Sequence, residues 1–375
     1  MKIGIVTFWE GKDNYGQTLQ AYALQRFLRD KGHDAFIIKY RNTNRRTFRW
    51  WLSVPYKVLR HFYKRYFTPS DYELGKKFKR MSVMMAKEND AHPRHFETFK
   101  NQYIHFSESV YDQHSIYKNP PQADVYIAGS DQIWRGLDDV FYLQFVPKGR
   151  KCIAYAPSFG GLDFDAKGKR KLKKYLERFS VLGMREYKGV ELCKSVGRND
   201  AFLVMDPTLL LSKNNYIKIL PPIKADSDYL FLYLLGNDMA LDVSAVFSWA
   251  EKHGVSVKYV ASQGMQDGYD KLYPNVDEWL GLLNGAKYVV TNSFHGTVFS
   301  LIMNKQFCTI PLTGAFARMN GRIVDLLSNL ELANRMYSTS LDVLSLPIDY
   351  VEVNQKLQTE REKTSCNFDI WVGKN

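Results

Sequence analysis

The sequence predicts an α/β protein built from two Rossmann-like domains that face a shared cleft. Short apolar, β-branched segments alternate with segments of helical period through most of the chain, which is the pattern of parallel sheets covered by helices. At 375 residues the chain is too long for one ordinary core and suits two domains. A polar segment that contains Pro221-Pro222 divides the alternation, so we expect one sheet on each side of it.

The domain boundaries follow from these changes in composition. We predict a first domain at 1–212 with a basic, aromatic insertion at about 39–80, a linker at 213–228, a second domain at 229–349, and a terminal helix and tail at 350–375 that pack back on the first domain. The opening strand, helix and strand lack a G-x-G-x-x-G turn, so a nicotinamide cofactor is not indicated.

The first half begins with a buried strand over Ile3–Phe8. A helix then starts at Gly16-Gln17-Thr18 and ends at Lys31-Gly32, because a cation and a glycine are typical of a helix C-terminus. The remaining elements are expected at 35–38 (strand), 72–87 and 93–101 (helices), 125–128 and 152–156 (strands), up to about 178 (a basic amphipathic helix), and 181–184 and 202–205 (strands).

The second half repeats the alternation. We expect strands at 229–235, 255–260, 287–290 and 307–310, and helices at about 239–253, 276–283, 320–330 and 350–363.

The net charge of +13 is concentrated in the insertion. Thirteen Lys and Arg residues lie between Lys39 and Arg80, against only Asp71 and Glu73. Basic and aromatic residues mixed at helical spacing are suited to peripheral contact with an anionic membrane. They are equally suited to a solvent-exposed insertion whose aromatic side chains cover the core of the domain. The segment resembles no nucleic-acid-binding module, so we expect no nucleic-acid partner.

Metal and export signals are weak. The four cysteines are far apart, and the D-x-D patterns at 163–165 and 226–228 occur in loop and linker contexts, so we expect no metal site. The first residues lack the apolar segment of a signal peptide, and no apolar run approaches membrane-spanning length. These features predict a cytoplasmic protein.

The clearest candidate site lies in the stretch from Tyr288 to Thr297, where a short strand passes through a polar turn into a helix. Asn292 and Ser293 are suitable helix N-caps, which places His295 near a helix N-terminus at the carboxyl end of a strand. Helix N-termini attract anions, and open α/β sheets bind ligands beyond the carboxyl ends of their strands. His295 is therefore a candidate general acid or base, or else a core histidine whose hydrogen bonds are satisfied locally.

Similar turns follow strands of the first half. Asn14 and Gly16 form one, in which Gly16 would let a ligand approach the backbone or would serve the turn alone. Asp131 follows the strand at 125–128 as a candidate base or a helix-start acid, and Ser158 lies in the turn after the strand at 152–156. Arg185 beside Glu186 suits a carboxylate or phosphate clamp, or a local ion pair.

The order of these motifs resembles the polysaccharide pyruvyl transferase family. The motifs are Asn14-Tyr15-Gly16, 129–134 (GSDQIW), 155–160 (YAPSFG), Arg185-Glu186, 206–210 (DPTLL) and 292–296 (NSFHG). The resemblance implies a glycosyltransferase-B-like fold and the transfer of the enolpyruvyl unit of phosphoenolpyruvate to a sugar as a ketal. It also implies no cofactor beyond that donor substrate and no metal.

The resemblance further suggests residue roles. Arg185 and His295 match positions that contact phosphoenolpyruvate, with His295 as general acid and with Asp131 or Glu186 assisting the acceptor hydroxyl. Asn292, Ser293, Ser158, Asn14 and Gly16 are the other candidate substrate-binding residues. The second domain would hold the donor, and the first domain would hold the acceptor. The acceptor would be a saccharide or lipid-linked oligosaccharide of a capsule, exopolysaccharide or cell wall. The protein would bind it at the inner face of the membrane.

One motif departs from the family pattern. Members often carry Arg-Leu-His where this chain has Ser293-Phe294-His295, so an anion-binding arginine is absent, and Arg318 or Arg322 is the candidate replacement. Two other functions therefore stay open: a glycosyltransferase of the same architecture that uses a sugar nucleotide, and a non-catalytic glycan-assembly protein.

Overall fold

The computed structural model describes residues 1–43, 69–221, 228–236, 238–262 and 267–373. The core of the predicted basic insertion, at 44–68, and part of the predicted linker, at 222–227, lie outside the described residues.

Seven parallel strands form the first sheet, in the order β3-β2-β1-β4-β5-β6-β7. They are β1 (Lys2–Val6), β2 (Asp34–Tyr40), β3 (Phe106–Tyr111), β4 (Val125–Ala128), β5 (Lys151–Tyr155), β6 (Val181–Met184) and β7 (Phe202–Leu203). The strand order reverses between β1 and β4, and a crevice opens at the carboxyl ends of the strands where such a reversal occurs.

Four parallel strands form the second sheet, in the order β11-β10-β8-β9. They are β8 (Tyr229–Tyr233), β9 (Ser256–Val260), β10 (Tyr288–Thr291) and β11 (Gln306–Thr309). The order reverses between β8 and β10, so the turn that carries Asn292 to His295 leaves the sheet at its own crevice. The predicted α/β class with two parallel sheets is confirmed.

Helices connect and cover these strands. They span Tyr15–Asp30, Pro69–Ala91, Phe96–Tyr103, Ser115–Lys118, Ala166–Leu176, Tyr187–Ser195, Pro207–Leu210, Lys213–Ile217, Val243–Lys252, Val276–Gly285, Phe294–Ile302, Gly321–Asn329 and Tyr350–Val372, with 3₁₀ turns at Gly314–Asn320, Ala333–Arg335 and Asp342–Ser345. No described helix is both long enough and apolar enough to cross a bilayer.

Caps decide where two helices begin. The first helix starts at Tyr15, before the predicted Gly16, because the Asn14 side chain accepts a hydrogen bond from the Gln17 N–H. The helix predicted at about 239–253 starts only at Val243, since Asp242 caps it through the Ser244 N–H. In both places a capping side chain, not the apolar period, fixes the first turn.

The terminal helix Tyr350–Val372 lies against the layer that covers the first sheet. The Phe368 ring contacts Phe27 and Tyr155, at centroid distances of 5.3 and 4.8 Å, and Lys31 Nζ lies 2.8 Å from a carboxylate oxygen of Asp369. Residues distant in sequence thus share one apolar core.

The two halves also contact each other directly. The Tyr15 ring stacks on Trp279 at 5.1 Å, and its hydroxyl donates to the Pro274 carbonyl at 2.7 Å. Elsewhere the Tyr187 N–H donates to the Asp325 carboxylate at 3.0 Å. These contacts hold the strand exits of one sheet close to those of the other.

Candidate functional site

Charged side chains from both halves form a buried cluster at the strand exits. It contains Arg185, Glu186 and Asp206 from the first half and His295 and Arg322 from the second. The side chains of Arg185 and Asp206 are each only 1% exposed. Burying so many ionisable groups is costly unless they pair, so their contacts decide what the cluster can do.

Arg185 lies directly after β6 at the centre of the cluster. Its Nη1 donates to Asp206 Oδ2 at 3.1 Å, and its Nε is 3.8 Å from Glu186 Oε2. The guanidinium carbon lies 4.9 Å from the centre of the Phe294 ring. Nε and Nη2 are buried without a hydrogen-bond partner in the described structure. Those N–H groups are therefore available to an anionic ligand.

Asp206 anchors this arginine. Its Oδ1 accepts from the N–H and the hydroxyl of Thr208 at 3.0 and 2.6 Å, which caps the short helix Pro207–Leu210. Burial alone would raise the pKa of Asp206, but the charge that His295 gains in acid and the permanent charge of Arg185 outweigh it and hold the pKa below its usual range. Asp206 is thus an ionised, immobile partner for Arg185.

His295 lies in the first turn of helix Phe294–Ile302. Its Nε2 is 3.7 Å from Asp206 Oδ2, beyond hydrogen-bond distance, and has no hydrogen-bond partner in the described structure. Burial lowers the pKa of His295 to about 4; the carboxylate of Asp206 opposes this shift, and the cation Arg185 adds to it. The imidazole is therefore neutral at pH 7 in this state.

Gly16 lies against His295. A Cβ atom at position 16 would overlap the Nδ1 and Cγ atoms of the imidazole. The space that the sequence suggested for a ligand is thus filled by the histidine ring. Gly16 brings the first turn of helix Tyr15–Asp30 up to His295, and Asn14 caps that helix.

Asn292 and Ser293 serve the backbone. Only Ser293 caps the helix, accepting from the Gly296 N–H at 3.2 Å, so the expectation of two caps is corrected. The Asn292 amide instead pairs with the backbone of Leu235 after β8, accepting from its N–H at 2.6 Å and donating to its carbonyl at 3.1 Å. It joins two strand exits of the second sheet.

Ser158 positions a carboxylate. Its hydroxyl donates to Glu186 Oε1 at 2.7 Å and accepts from the Gly160 N–H at 3.0 Å. Glu186 Oε2 is left without a hydrogen-bond partner in the described structure. The serine therefore orients Glu186, whose second oxygen faces Arg185.

Asp131 adopts an unusual backbone conformation after β4. Its φ is +75°, and Ala156 after the neighbouring β5 has φ +58°, both in the left-handed region that non-glycine residues rarely adopt. No helix follows Asp131, so its interpretation as a helix-start acid is corrected. Its negative charge still influences the pKa of Arg185 and of His295, which associates it with the cluster.

The two candidate replacement arginines lie in different environments. Arg322 places its guanidinium carbon 5.2 Å from the centre of the Phe294 ring, the same ring that Arg185 contacts. Burial, and then the charge of Arg185, lower the pKa of Arg322 to about 10, and its Nε has no hydrogen-bond partner in the described structure. Arg318 is exposed. Arg322 is thus the arginine that joins the cluster.

Asp206 of the cluster and the neighbouring Phe294 were not among the candidate site residues from sequence, although each lies within a motif that carries the family resemblance. Asp206 had a local signal, since Asp-Pro-Thr after a strand is a helix cap, but nothing indicated that its other oxygen would meet Arg185. From the sequence, Phe294 is simply an apolar residue between the polar Ser293 and His295. Within the described ranges no three His, Cys, Asp or Glu side chains are arranged to hold a metal ion.

A family model for polysaccharide pyruvyl transferase matches residues 14–312, which is most of the chain. The chain belongs to the polysaccharide pyruvyl transferase family. The match extends from the Asn14 cap to just beyond β11 and includes His295, whereas Arg318 and Arg322 follow it. A comparison with curated protein sequences gives no match.

Solved structures that match over most of the chain include UDP-GlcNAc 2-epimerases and a glycosyltransferase. They include UDP-GlcNAc 2-epimerase from Methanocaldococcus jannaschii in complex with UDP-GlcNAc and UDP (12% identity, TM-score 0.48, 96% of this chain and 94% of that chain). Another is UDP-GlcNAc 2-epimerase from Neisseria meningitidis bound to UDP-GlcNAc (8%, 0.45, 100% of both chains). A third is the glycosyltransferase SnogD from Streptomyces nogalater (12%, 0.37, 97% and 95%). Family membership is based on the sequence match alone.

Proposed function

We propose that this member of the pyruvyl transferase family takes the enolpyruvyl unit from phosphoenolpyruvate and transfers it to a saccharide as a pyruvate ketal. The observation that carries the proposal is the pair of guanidiniums beside one ring, that of Phe294: Arg185 is buried and Arg322 is half-buried. Three of their N–H positions have no hydrogen-bond partner in the described structure. Phosphoenolpyruvate carries a carboxylate and a phosphate, and guanidinium groups match both geometries.

Helix dipoles support an anion at the same place. The first turns of Tyr15–Asp30 and Phe294–Ile302 meet where Gly16 contacts His295, and neither first turn contains an acidic residue. Their partial positive charges add to those of the two arginines. A carboxylate or phosphate there would accept hydrogen bonds from the unpartnered N–H groups of the two arginines, which the cluster's own carboxylates leave unused.

Donor binding would also activate His295. The positive charges of Arg185 and Arg322 contribute to lowering the pKa of this histidine, so an anion that neutralises them raises it. The imidazole then takes up a proton, and Asp206, 3.7 Å from Nε2, stabilises the imidazolium. The general acid is in this way loaded only when the donor is present.

The proposed reaction keeps its proton balance within the cluster. Protonated His295 gives a proton to the methylene carbon while an acceptor hydroxyl adds to the central carbon, and Asp131 or Glu186 takes the hydroxyl proton. The carbon–oxygen bond to phosphate breaks with its electron pair leaving on phosphate, which receives that proton. A second hydroxyl of the same sugar adds to the central carbon and returns its proton to His295.

A second candidate donor is a sugar nucleotide. It is favoured by Ser293, which stands where family members often carry arginine and caps a helix here instead of offering a cation. A diphosphate would also use the free N–H groups of Arg185 and Arg322.

Incubation of the protein with each donor and a panel of saccharides tests the choice. We expect inorganic phosphate from phosphoenolpyruvate only when an acceptor saccharide is present, together with a new ketal methyl signal by NMR. Release of a nucleoside diphosphate from a sugar nucleotide, with phosphoenolpyruvate unchanged, would instead identify the second candidate as correct.

A further inference from the structure

The helix Ala166–Leu176, here called the basic helix, has an unusual charge pattern. Six of its eleven residues are Lys or Arg and none is acidic. Only Leu172 and Leu176 are buried, and Asp165 caps the first turn by accepting from the Gly168 N–H at 2.7 Å. Two leucines and the Asp165 cap thus account for the packing of this helix on the fold. Most of its positive charges take no part in that packing.

Most of these cations have no counterion. Lys169 Nζ lies 3.2 Å from Asp163, and Lys171 Nζ donates to the Leu137 carbonyl at 3.2 Å. In the described part of the chain, the other four make no ion pair; they are Lys167, Arg170, Lys173 and Lys174, and all are exposed. Like charges three or four positions apart destabilise a helix, so the charge pattern opposes folding unless an anionic partner offsets it.

The unpaired cations form a row. Lys167, Arg170 and Lys174 are spaced by three and four positions, so they share one face over about 10 Å of helix length. The loop that leads into this helix packs at Gly161 against the backbone of Arg318, which brings a further exposed cation to the same side. The row is an exposed line of positive charge, so it suits an extended anionic partner.

We propose that the basic helix is the surface by which this protein docks on an anionic lipid bilayer. The partner is the layer of phosphate-bearing headgroups, and the attraction is electrostatic, because the exposed face carries charges rather than large apolar side chains. The proposal is independent of the donor. It also assigns to a described helix a membrane contact that the sequence alone suggested only for the insertion at 39–80.

The position of the helix gives this docking a consequence. Ser158, which orients Glu186 in the buried cluster, precedes Gly161 in the same loop, so the loop joins the site to the basic helix. A bilayer that contacts the helix would lie beside the strand exits that form the cluster. A saccharide held on a membrane lipid would then meet the site at short range.

Vesicle sedimentation tests the proposal. The wild-type protein is mixed with phosphatidylcholine vesicles that contain or lack phosphatidylglycerol, and compared with a Lys167→Gln/Arg170→Gln/Lys174→Gln variant. Each Lys or Arg near an anionic surface strengthens membrane binding by about a factor of five. We therefore expect the triple variant to bind the anionic vesicles roughly 100-fold more weakly than the wild type does. The matched control replaces Lys118, Lys218 and Lys252, which are exposed elsewhere, with Gln, and should bind as the wild type does.

Three results would overturn the proposal. One is wild-type protein that ignores anionic vesicles. Another is a basic-helix variant that binds them as well as the control does, which would assign the contact to the insertion. The third is binding of a soluble acidic polysaccharide by the wild type but not by the basic-helix variant, while neither protein binds vesicles. Phosphoenolpyruvate binding and circular dichroism of the variant are measured alongside, so that misfolding or a failed donor assignment is distinguished from failed docking.

Discussion

Arg322 is the residue on which the proposed donor site most depends. It follows the part of the chain that matches the family, yet it lies half-buried beside Phe294, contacts the same ring as Arg185, and has a buried Nε without a hydrogen-bond partner in the described structure. We infer that it supplies the charge that Ser293 does not.

Arg322→Gln should weaken phosphoenolpyruvate binding about 10- to 100-fold, because a hydrogen bond to a charged group contributes roughly 1.5–3 kcal/mol. Arg318→Gln is the matched control, since Arg318 is exposed and four positions away. Calorimetric titration measures both variants. Equal losses in the two, or a larger loss for Arg318→Gln, would remove Arg322 from the donor site.

His295 makes stability depend on pH. Its pKa of about 4 lies below the usual 6.5, so the unfolded chain binds the extra proton more readily than the folded one does between these values. The contribution is fully present above pH 6.5 and is lost as the pH falls towards 4. It amounts to up to about 3 kcal/mol at 1.36 kcal/mol per pH unit.

Urea unfolding of the wild type should therefore show a free energy of unfolding that falls from pH 6.5 to pH 4, and His295→Gln should flatten that fall. Replacement of the exposed His114 with Gln serves as the control and should keep the wild-type slope. A variant at position 295 with an unchanged slope would mean that His295 is not held neutral by burial.

Local chemistry predicted some of these residues but not their partners. The strand, the Ser293 cap and the start of the helix around His295 can be predicted because their signals lie within the ten residues from Tyr288 to Thr297. The contact between Asp206 and Arg185 instead depends on how two strand exits align, and that of Arg322 depends on how the two halves dock. A single sequence shows neither the alignment of the strand exits nor the docking of the two halves. For that reason Asp206 was not predicted as a site residue, and Arg318 and Arg322 were equal candidates.

At the scale of elements, the approach of two helix N-termini depends on one missing side chain. Helix Tyr15–Asp30 reaches His295 only because position 16 has no Cβ. Elements were predicted well where burial gives a strong apolar pattern. The edge strand β3 was missed because its polar and apolar residues do not alternate, and only Ser107 is buried in it.

Gly16→Ala should displace the His295 ring and lower stability by about 1–3 kcal/mol, the usual effect of overpacking. The proposed transfer activity should fall by more than the fraction of protein that unfolds, because the proposed general acid, His295, is moved. Gly136→Ala is the control, as a Cβ there meets no atom within 4 Å. Activity assays and thermal unfolding test the pair, and wild-type activity in Gly16→Ala would show that His295 need not occupy its observed place.

At the scale of the whole molecule, the cluster exists only because two sheets present their strand exits to each other. Arg185, Glu186 and Asp206 come from one half and His295 and Arg322 from the other, and the Tyr15–Trp279 stack keeps the halves together. The alternation of strands and helices was sufficient to predict two parallel sheets. It could not indicate how closely they approach, because the contacts between them involve side chains far apart in sequence.

In the proposed function, this junction binds phosphoenolpyruvate and His295 takes up a proton when the donor binds. Calorimetric titration with phosphoenolpyruvate at pH 7, in two buffers of different ionisation enthalpy, measures donor binding and proton uptake together. We expect saturable binding with uptake of up to about one proton, and binding without uptake in His295→Gln. No binding of phosphoenolpyruvate, with clear binding of a nucleotide sugar in the same experiment, would contradict the account.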